Sequence, residues 1–395
     1  PFKFPPPDGF QPLNAANVRP VKVISRPGQY VGVTTYTGTT GGGTIKDDNI
    51  LFTPDLVWVK NRSNTEDHKL YDTVRGKSSG NFYNLESNTT AAQTAESGAV
   101  TSMIEGGFTS TGGGHVNSNG APFVSWMWRA GGGNVSGSSG DEFWKDGVKY
   151  ASAAAAGLTG GSITPTAASV GTKQGFSIIK FASGSSGVKT LSHGLLETPT
   201  FALVKTTGST SDWSVYHKDI GGVNNYLVLN ADTANATATE IWGSSLWTSS
   251  VFGINSGTTT ATNQDCIAYL WHDVPGLQKF GSFTGNNATD GVFIELGFRP
   301  SLVWIKRTGN TGHWFIIDNK RTKTFNPVDE YSFADIANVY NPSNGGPSGG
   351  IADFLSNGIK LRENNAGANE DDSYIYCAWA EAPASNLYGA TSNAR

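Results

Sequence analysis

A seven-residue pattern occurs three times in this sequence, and this internal repeat constrains the fold more than any other feature. Each copy has a proline six residues before a lysine, with mostly apolar residues between them. The copies are Pro54-Asp-Leu-Val-Trp-Val-Lys60, Pro199-Thr-Phe-Ala-Leu-Val-Lys205 and Pro300-Ser-Leu-Val-Trp-Ile-Lys306. The positions eight and twelve residues after each lysine also correspond, and they hold His68, Trp213 and Trp314, then Asp72, His217 and Asp318. A gapless match repeated in this order predicts three copies of one structural unit.

Each copy also ends in the same way, with a short apolar segment that closes on tryptophan. These segments are Phe123-Val-Ser-Trp-Met-Trp128, Ile267-Ala-Tyr-Leu-Trp271 and Tyr374-Ile-Tyr-Cys-Ala-Trp379. The composition, with 50 Gly and only 15 % charged residues, favours short strands joined by tight turns. The sequence therefore predicts an all-β chain of tandem antiparallel β-sandwich or jelly-roll-like units.

The repeat and the segments around it predict the domain boundaries. We expect an extended proline-rich segment over 1–27, β-sandwich units over 28–130, 174–275 and 278–382, a Gly/Ser/Ala-rich linker over 131–173 and a tail over 383–395. Each unit is long enough to bury a core of its own. The linker begins with a Gly/Ser run typical of flexible coil, and its alanine-rich segment 151–157 predicts one short helix. Because the first residue is Pro1, we expect the chain to start inside a longer polypeptide or at a processed end.

Charge and cysteine content exclude several classes of protein. The net charge is −4 and the basic residues are scattered, so we expect no nucleic-acid partner. No apolar run is long enough to span a bilayer, so we expect no membrane insertion. Cys266 and Cys377 lie in apolar strand patterns, which predicts two buried thiols and no disulfide.

The sequence lacks the common catalytic and metal-binding patterns. It contains neither His-Glu-x-x-His nor Cys-x-x-Cys, and its six histidines have no metal-ligand spacing. We interpret the Gly-x-Ser-x-Gly matches at 76–80 and 346–350 as turns, because no strand-to-helix pattern surrounds them. The acidic runs at 140–142 and 370–372 are interpreted as solvated turns rather than Ca²⁺ loops. We therefore expect no enzyme activity, no metal and no cofactor.

The repeated polar positions are predicted to serve the fold. We expect each repeated lysine to lay its stem on the core and keep its ammonium in solvent. Asp72 and Asp318 are predicted to cap turns. Four tryptophans are the candidate glycan-binding residues, because an exposed indole offers a stacking platform to a sugar ring. They are Trp213 and Trp314 in the repeated slot, and Trp242 and Trp247, which occur in the second copy alone. Burial in the core is the competing interpretation. We favour it for the repeated slot, and for Trp242 and Trp247 we also do not favour recognition, although they are the better candidates.

The repeated motif, with its Leu-Val-Trp-Ile-Lys core and closing Tyr-x-Ala-Trp strand, resembles an uncharacterised repeat domain of bacteriophage tail-fibre and other virion structural proteins. The stretch 149–166 is similar to the linker of those proteins, and the start, Pro1-Phe-Lys-Phe-Pro-Pro-Pro-Asp-Gly-Phe10, resembles the end of a SPRY-like domain. The resemblance covers nearly the whole chain, but it carries over no catalytic or ligand motif.

The resemblance implies a bacteriophage virion structural protein on the particle surface. The first hypothesis is a tail-fibre or adhesin module that binds a bacterial surface glycan or protein receptor. The alternative is a capsid decoration or head-fibre protein with a purely architectural role and other virion proteins as partners. A soluble cell-surface lectin is the third interpretation. Phage fibres are commonly trimeric, so the resemblance also implies a homotrimer.

Overall fold

The computed structural model describes residues 24–136, 140–245, 247–322, 326–339, 350–364 and 367–384. The predicted N-terminal segment 1–27, with its SPRY-like start, lies outside the described residues except for its last four. The tail beyond residue 384 and nearly all of the Gly-x-Ser-x-Gly match at 346–350 also lie outside them.

Strands of two to eleven residues make up the three copies, which we call repeats 1, 2 and 3. Repeat 1 contains β1 (Val31–Thr37), β2 (Gly43–Lys46), β3 (Leu56–Asn61), β4 (Lys69–Asp72), β5 (Lys77–Ser78), β6 (Asn81–Phe82), β7 (Asn84–Glu86), β8 (Val100–Ile104), β9 (Gly107–Ser110) and β10 (Pro122–Trp128). The predicted linker contains β11 (Phe143–Lys145), β12 (Val148–Tyr150) and β13 (Ala167–Gly171). Repeat 2 contains β14 (Phe176–Ala182), β15 (Gly187–Ser192), β16 (Phe201–Thr206), β17 (Ser214–His217), β18 (Asn225–Val228), β19 (Ala236–Thr237), β20 (Val251–Ser256) and β21 (Asp265–Trp271). Repeat 3 contains β22 (Gln278–Thr284), β23 (Phe293–Glu295), β24 (Phe298–Arg307), β25 (Trp314–Asp318), β26 (Tyr331–Phe333), β27 (Ala352–Leu355), β28 (Gly358–Leu361) and β29 (Ser373–Pro383). Short 3-10 helices span Pro27–Gln29 and Gly114–Val116.

Each repeat has one larger inner sheet and one smaller outer sheet. The inner sheets have the same strand order, β1-β10-β3-β4-β7, β14-β21-β16-β17-β18 and β22-β29-β24-β25-β26. The outer sheets are β2-β9-β8, β15-β20 and β23-β28-β27. Within each of these sheets, neighbouring strands pair antiparallel. The prediction of an all-β chain of antiparallel β-sandwich units is therefore confirmed.

The central strand of each inner sheet is buried on both faces. In β3, Leu56 and Trp58 point to one core, while Val57 and Val59 point to another. The equivalent strands β16 and β24 divide their side chains in the same way. This arrangement explains why the repeated pattern is a continuous apolar run rather than an alternation of apolar and polar residues.

One core is shared by all three repeats, and we call it the central core. The outer faces of the inner sheets pack into three separate sandwich cores, one in each repeat. The inner faces meet in the central core, where the closing residues Trp128, Trp271 and Trp379 contact one another with ring centroids 5.5–6.3 Å apart. The expectation that each unit buries its own core is thus incomplete. One face of every inner sheet is buried only by the other two repeats.

The three inner sheets are aligned, so the molecule has two ends. The tryptophan end contains Trp128, Trp271 and Trp379, and the lysine end contains Lys60, Lys205 and Lys306 at the opposite ends of the neighbouring strands. The described chain enters at the tryptophan end, where Ile24 N–H donates to Pro275 O, and β29 runs toward the same end.

The part of the predicted linker that follows its Gly/Ser run forms strands, so the segment is not a linker throughout. Residues 137–139 of the run itself lie outside the described residues. Strand β13 pairs antiparallel with β14, and β11 pairs parallel with β13, so both extend the inner sheet of repeat 2. The segment 151–157 forms turns instead of the predicted helix. It is too short to nucleate a helix by itself, and burial of Ala153 and Ala156 in the core of repeat 2 determines its conformation.

Candidate functional site

All four tryptophans proposed to bind glycans are buried. Trp213, Trp242 and Trp314 are at most 1 % exposed and Trp247 is 6 % exposed. The ring of Trp247 stacks on Tyr216 at 3.9 Å between centroids, and the Trp242 indole N–H donates to Asn225 O. None of the four presents a face to a sugar, so the prediction of a stacking platform at these positions is wrong. The segment that carries the copy-specific pair fills the sandwich core of repeat 2.

The repeated slot of His68, Trp213 and Trp314 lies where neighbouring repeats meet. The Trp213 indole N–H donates to Glu86 O in repeat 1 at 2.8 Å, and that of Trp314 donates to Val228 O in repeat 2 at 2.9 Å. His68 accepts from Trp58 Nε1 within its own repeat. Burial lowers the pKa of His68 well below its ordinary value. The two tryptophans of the slot therefore connect repeat 2 to repeat 1 and repeat 3 to repeat 2. The Ser87 hydroxyl donates to Ala334 O and connects repeat 1 to repeat 3, so the contacts between repeats close a ring.

The three repeated lysines also lie at the boundaries between neighbouring repeats, which we call the seams. They are 0–1 % exposed. Each Nζ donates to the carbonyl oxygen six residues later in its own repeat, at Glu66, Ser211 and Gly312 respectively. Each also donates to a carbonyl oxygen of the neighbouring repeat. These bonds are Lys60 to Ala337 O at 2.9 Å, Lys205 to Thr90 O at 2.9 Å and Lys306 to Asp232 O at 3.2 Å.

The expectation that these ammonium groups stay in solvent is therefore wrong. Burial lowers the pKa of all three lysines to about 8, so they are still protonated at neutral pH. A buried ammonium is costly unless its donors are satisfied, and here carbonyl oxygens from two repeats satisfy them. The hydrogen bonds of the three lysines therefore stabilise the contacts between neighbouring repeats.

The slot twelve residues after each lysine contributes a second set of contacts between repeats. Asp72 Oδ1 accepts the backbone N–H groups of Val74 and Arg75, and Asp318 Oδ1 accepts those of Lys320 and Arg321, so the predicted turn caps are confirmed. The second carboxylate oxygen of each binds an arginine three residues later. It also accepts from a neighbouring repeat, from the Tyr269 hydroxyl at Asp72 and from Trp126 Nε1 at Asp318. In repeat 2 the corresponding residues are His217 and Ile220, which replace the ion pair without leaving a lone charge.

The acidic runs are used in ion pairs at the surface. Glu370 and Asp372 both pair with Arg307, at 2.5 Å each, and Asp141 pairs with Lys180 at 2.9 Å.

Among the described residues, no group of three or more His, Cys, Asp or Glu side chains is arranged to hold a metal ion. Nor does the described part of the chain contain a helix long and apolar enough to cross a membrane. Both thiols are buried and unpaired in strands β21 and β29, as predicted.

A cavity of about 570 Å³ lies at the tryptophan end of repeat 2. Its lining combines Lys173, Glu197, His272 and Asp273 with apolar residues that include Leu196. His272 Nδ1 lies 2.8 Å from the Asp273 carbonyl oxygen, and burial raises the pKa of the Asp273 carboxyl group. Nothing in the sequence pointed to this cavity, because all of its lining residues except Thr200 lie outside the repeated motif.

A family model described as Domain of unknown function (DUF7483) matches residues 26–142 and 143–383. The chain belongs to this family. No curated protein and no solved structure matches the chain. The family name assigns no activity, so the function has to be argued from the residues themselves.

The first of the two matched segments contains repeat 1, and the second contains the ordered linker with repeats 2 and 3. In this member of the family, several polar and aromatic residues that correspond between repeats join the repeats to one another. The sequence analysis did not predict that the repeats contact one another through the seam lysines, the slot of His68 and the Asp72 position. One sequence signal for such contacts existed. Asp72 and Asp318 are each followed by arginine after three residues, whereas the repeat with His217 has isoleucine there, and such paired replacement indicates a direct contact.

Asp55, just before β3, is a buried carboxylate whose charge is not balanced by a cation in contact. It accepts hydrogen bonds from Ala130 N–H, Gly132 N–H and the Thr73 hydroxyl. Burial raises its pKa to about 6, although these hydrogen bonds oppose the shift. An unfolded chain has an aspartate pKa of about 3.9, so the folded state binds the proton more tightly.

We expect the Asp55→Asn variant to remove a pH dependence of stability. The contribution of a raised carboxyl pKa is fully present below about pH 4 and is lost as the pH rises through about 6, which amounts to about 2–3 kcal/mol. Urea unfolding between pH 4 and 8 measures this, with Asp371→Asn at an exposed carboxylate as the control. Identical pH slopes for Asp55→Asn and the unmodified protein would contradict the assignment.

Proposed function

We propose that the chain is a structural module of a bacteriophage particle surface, in a tail fibre or adhesin that recognises the bacterial host. The resemblance of the repeated motif supports the virion assignment. The observation that carries the recognition role is the contrast between an extensive buried core and exposed loops of small polar residues at the lysine end. Rigid scaffolds with polar loops are suited to binding without chemistry.

The proposed role is non-enzymatic. The buried polar groups of the seam lysines and of Asp72 and Asp318 are engaged in holding repeats together. The match at 76–80 lies in the β5–β6 hairpin, where Lys77 Nζ donates to Ser136 O, and no helix follows the serine. A nucleophile elbow requires a strand-to-helix turn.

Binding of the purified, fluorescently labelled chain to a panel of bacterial strains tests the proposal. We expect saturable binding to a subset of strains, and we expect the chain to compete with infection of those strains. Heat-denatured chain is the control for nonspecific adhesion. Failure to bind any strain, together with firm association to capsid or tail proteins, would replace recognition by the architectural role.

The burial of all four candidate tryptophans favours this second candidate, a capsid decoration or head-fibre protein, because it removes the aromatic site from the surface. The expected homotrimer is tested with the same preparation, since light scattering distinguishes the mass of one chain from that of three. Three equivalent positions around the central core already exist within one chain, so a monomer would also offer related surfaces to a threefold particle axis.

A further inference from the structure

Three loops at the lysine end have equivalent tips. Each joins the central strand of an inner sheet to the next strand, between β3 and β4, β16 and β17, and β24 and β25. Four and five residues after the lysine, these tips carry Asn64-Thr65, Ser209-Thr210 and Asn310-Thr311. The three threonines are exposed. An exposed threonine preceded by a short polar residue is therefore present three times at one end of the molecule.

The seam lysines hold these tips in place. Their bonds to Glu66 O, Ser211 O and Gly312 O fix the residue that directly follows each tip. The next residue is also fixed in every copy. Asp67 accepts from Asn88, Asp212 accepts from Asn230, and His313 is hydrogen-bonded to Asp335. Loops that are ordered before binding lose little conformational entropy when a ligand arrives.

The lysine end also differs from the rest of the surface in polarity. The described large apolar side chains with substantial exposure are Leu51, Val148 and Leu196, near the tryptophan end, and Phe293 on the outer sheet of repeat 3. A protein interface with an apolar centre does not fit the lysine end. Hydroxyl and amide groups fit a partner that offers many hydrogen-bonding groups.

The charged side chains at the lysine end further limit the class of partner that can bind there. Exposed carboxylates at this end include Asp212, Asp265 and Asp371. The neighbouring Arg62 and Arg307 are half-buried and paired with carboxylates. An anionic polymer would be repelled by this surface, whereas a neutral or amino-sugar polymer would not.

We propose that the lysine-end tips bind a repeating, uncharged or amino-sugar-containing polysaccharide, with one short segment of the polymer at each tip. This inference rests on the proposed recognition function and specifies its surface and ligand class. Contacts without aromatic stacking are weak individually, and three rigid tips on one body gain strength by engaging one polymer together.

The test uses the full chain on an array of purified bacterial capsular and O-antigen polysaccharides of known charge. The probe variant combines Thr65→Ala, Thr210→Ala and Thr311→Ala, which remove three exposed hydroxyl groups and leave the core intact. The control variant combines Leu196→Ser and Thr198→Ala at the tryptophan-end cavity. We expect binding to neutral or amino-sugar polymers, a loss of affinity of about tenfold or more in the probe variant, and no change in the control.

Each contrary outcome has a separate meaning. Loss of binding in the control variant but not in the probe variant would move the site to the cavity and overturn the inference while recognition stands. Preferential binding of anionic polymers would overturn the ligand class. Binding to whole cells but to no polysaccharide would also overturn the inference, since the receptor would then be a protein. Absence of binding to both cells and polysaccharides would overturn the recognition function itself.

Discussion

The Lys306→Met variant is expected to unfold at a markedly lower denaturant concentration than the unmodified protein. The Lys306 ammonium satisfies the carbonyl oxygens of Asp232, Thr233, Arg307 and Gly312, and two of these belong to repeat 2. Methionine keeps the apolar stem but donates no hydrogen bond, so buried carbonyl groups lose their partner. Each unsatisfied group costs about 1–3 kcal/mol, and partial relaxation limits the total to about 3 kcal/mol or slightly more.

Chemical unfolding followed by tryptophan fluorescence measures this loss, because Trp304 and Trp314 lie in the same central core. Lys279→Met is the matched control, since Lys279 Nζ donates to one exposed carbonyl oxygen, that of Glu295. We expect that control to stay within about 0.5 kcal/mol of the unmodified protein. Lys60→Met and Lys205→Met should resemble Lys306→Met. Equal stability of the seam variant and the control would mean that the ammonium groups do not fasten the repeats.

The sequence was sufficient for the fold class but not for the assembly of the repeats. Short apolar runs, turn signals and the threefold motif predicted antiparallel sandwiches because these are local consequences of strand and turn chemistry. The shared central core depends on contacts between residues more than 100 positions apart, such as Trp128 with Trp271. One hint was available. The run from Leu56 to Val59 is apolar at every position, and a strand with one solvent-facing side would alternate.

The candidate site was predicted poorly for a related reason. An exposed tryptophan and a buried one look the same in a sequence, and Trp242 and Trp247 were chosen because they occur in one copy only. The structure shows that they fill the core of repeat 2 against Tyr216. The lysines illustrate the opposite error. A charged residue at a strand end is ordinarily solvated. Burial of Lys205 is made favourable by a carbonyl oxygen of its own repeat, that of Ser211, together with one of the neighbouring repeat, that of Thr90.

The Asp318→Ala variant is expected to lose about 3–5 kcal/mol of stability, the largest effect among single substitutions considered for this chain. Asp318 Oδ2 accepts from Arg321 Nε at 2.6 Å and from Trp126 Nε1 at 3.0 Å, and both charged side chains are at most 2 % exposed. Removing the carboxylate leaves the Arg321 guanidinium buried without its counter-charge. The loss should appear as a lower midpoint in urea unfolding.

Repeat 2 supplies the compensating change. Its residues at the two positions are His217 and Ile220, so the double variant Asp318→His with Arg321→Ile transfers a solution that this fold already uses. Because no charge remains unpaired, we expect the double variant to recover at least half of the stability lost in Asp318→Ala. Asp353→Ala is the control, since its ion pair with Arg362 lies near the surface and contributes at most about 1 kcal/mol. A double variant as unstable as Asp318→Ala would show that the ion pair acts through its hydrogen bonds to the turn and to Trp126 rather than through charge balance. The equivalence of the three repeats would then extend to their backbone but not to the way in which each seam is stabilised.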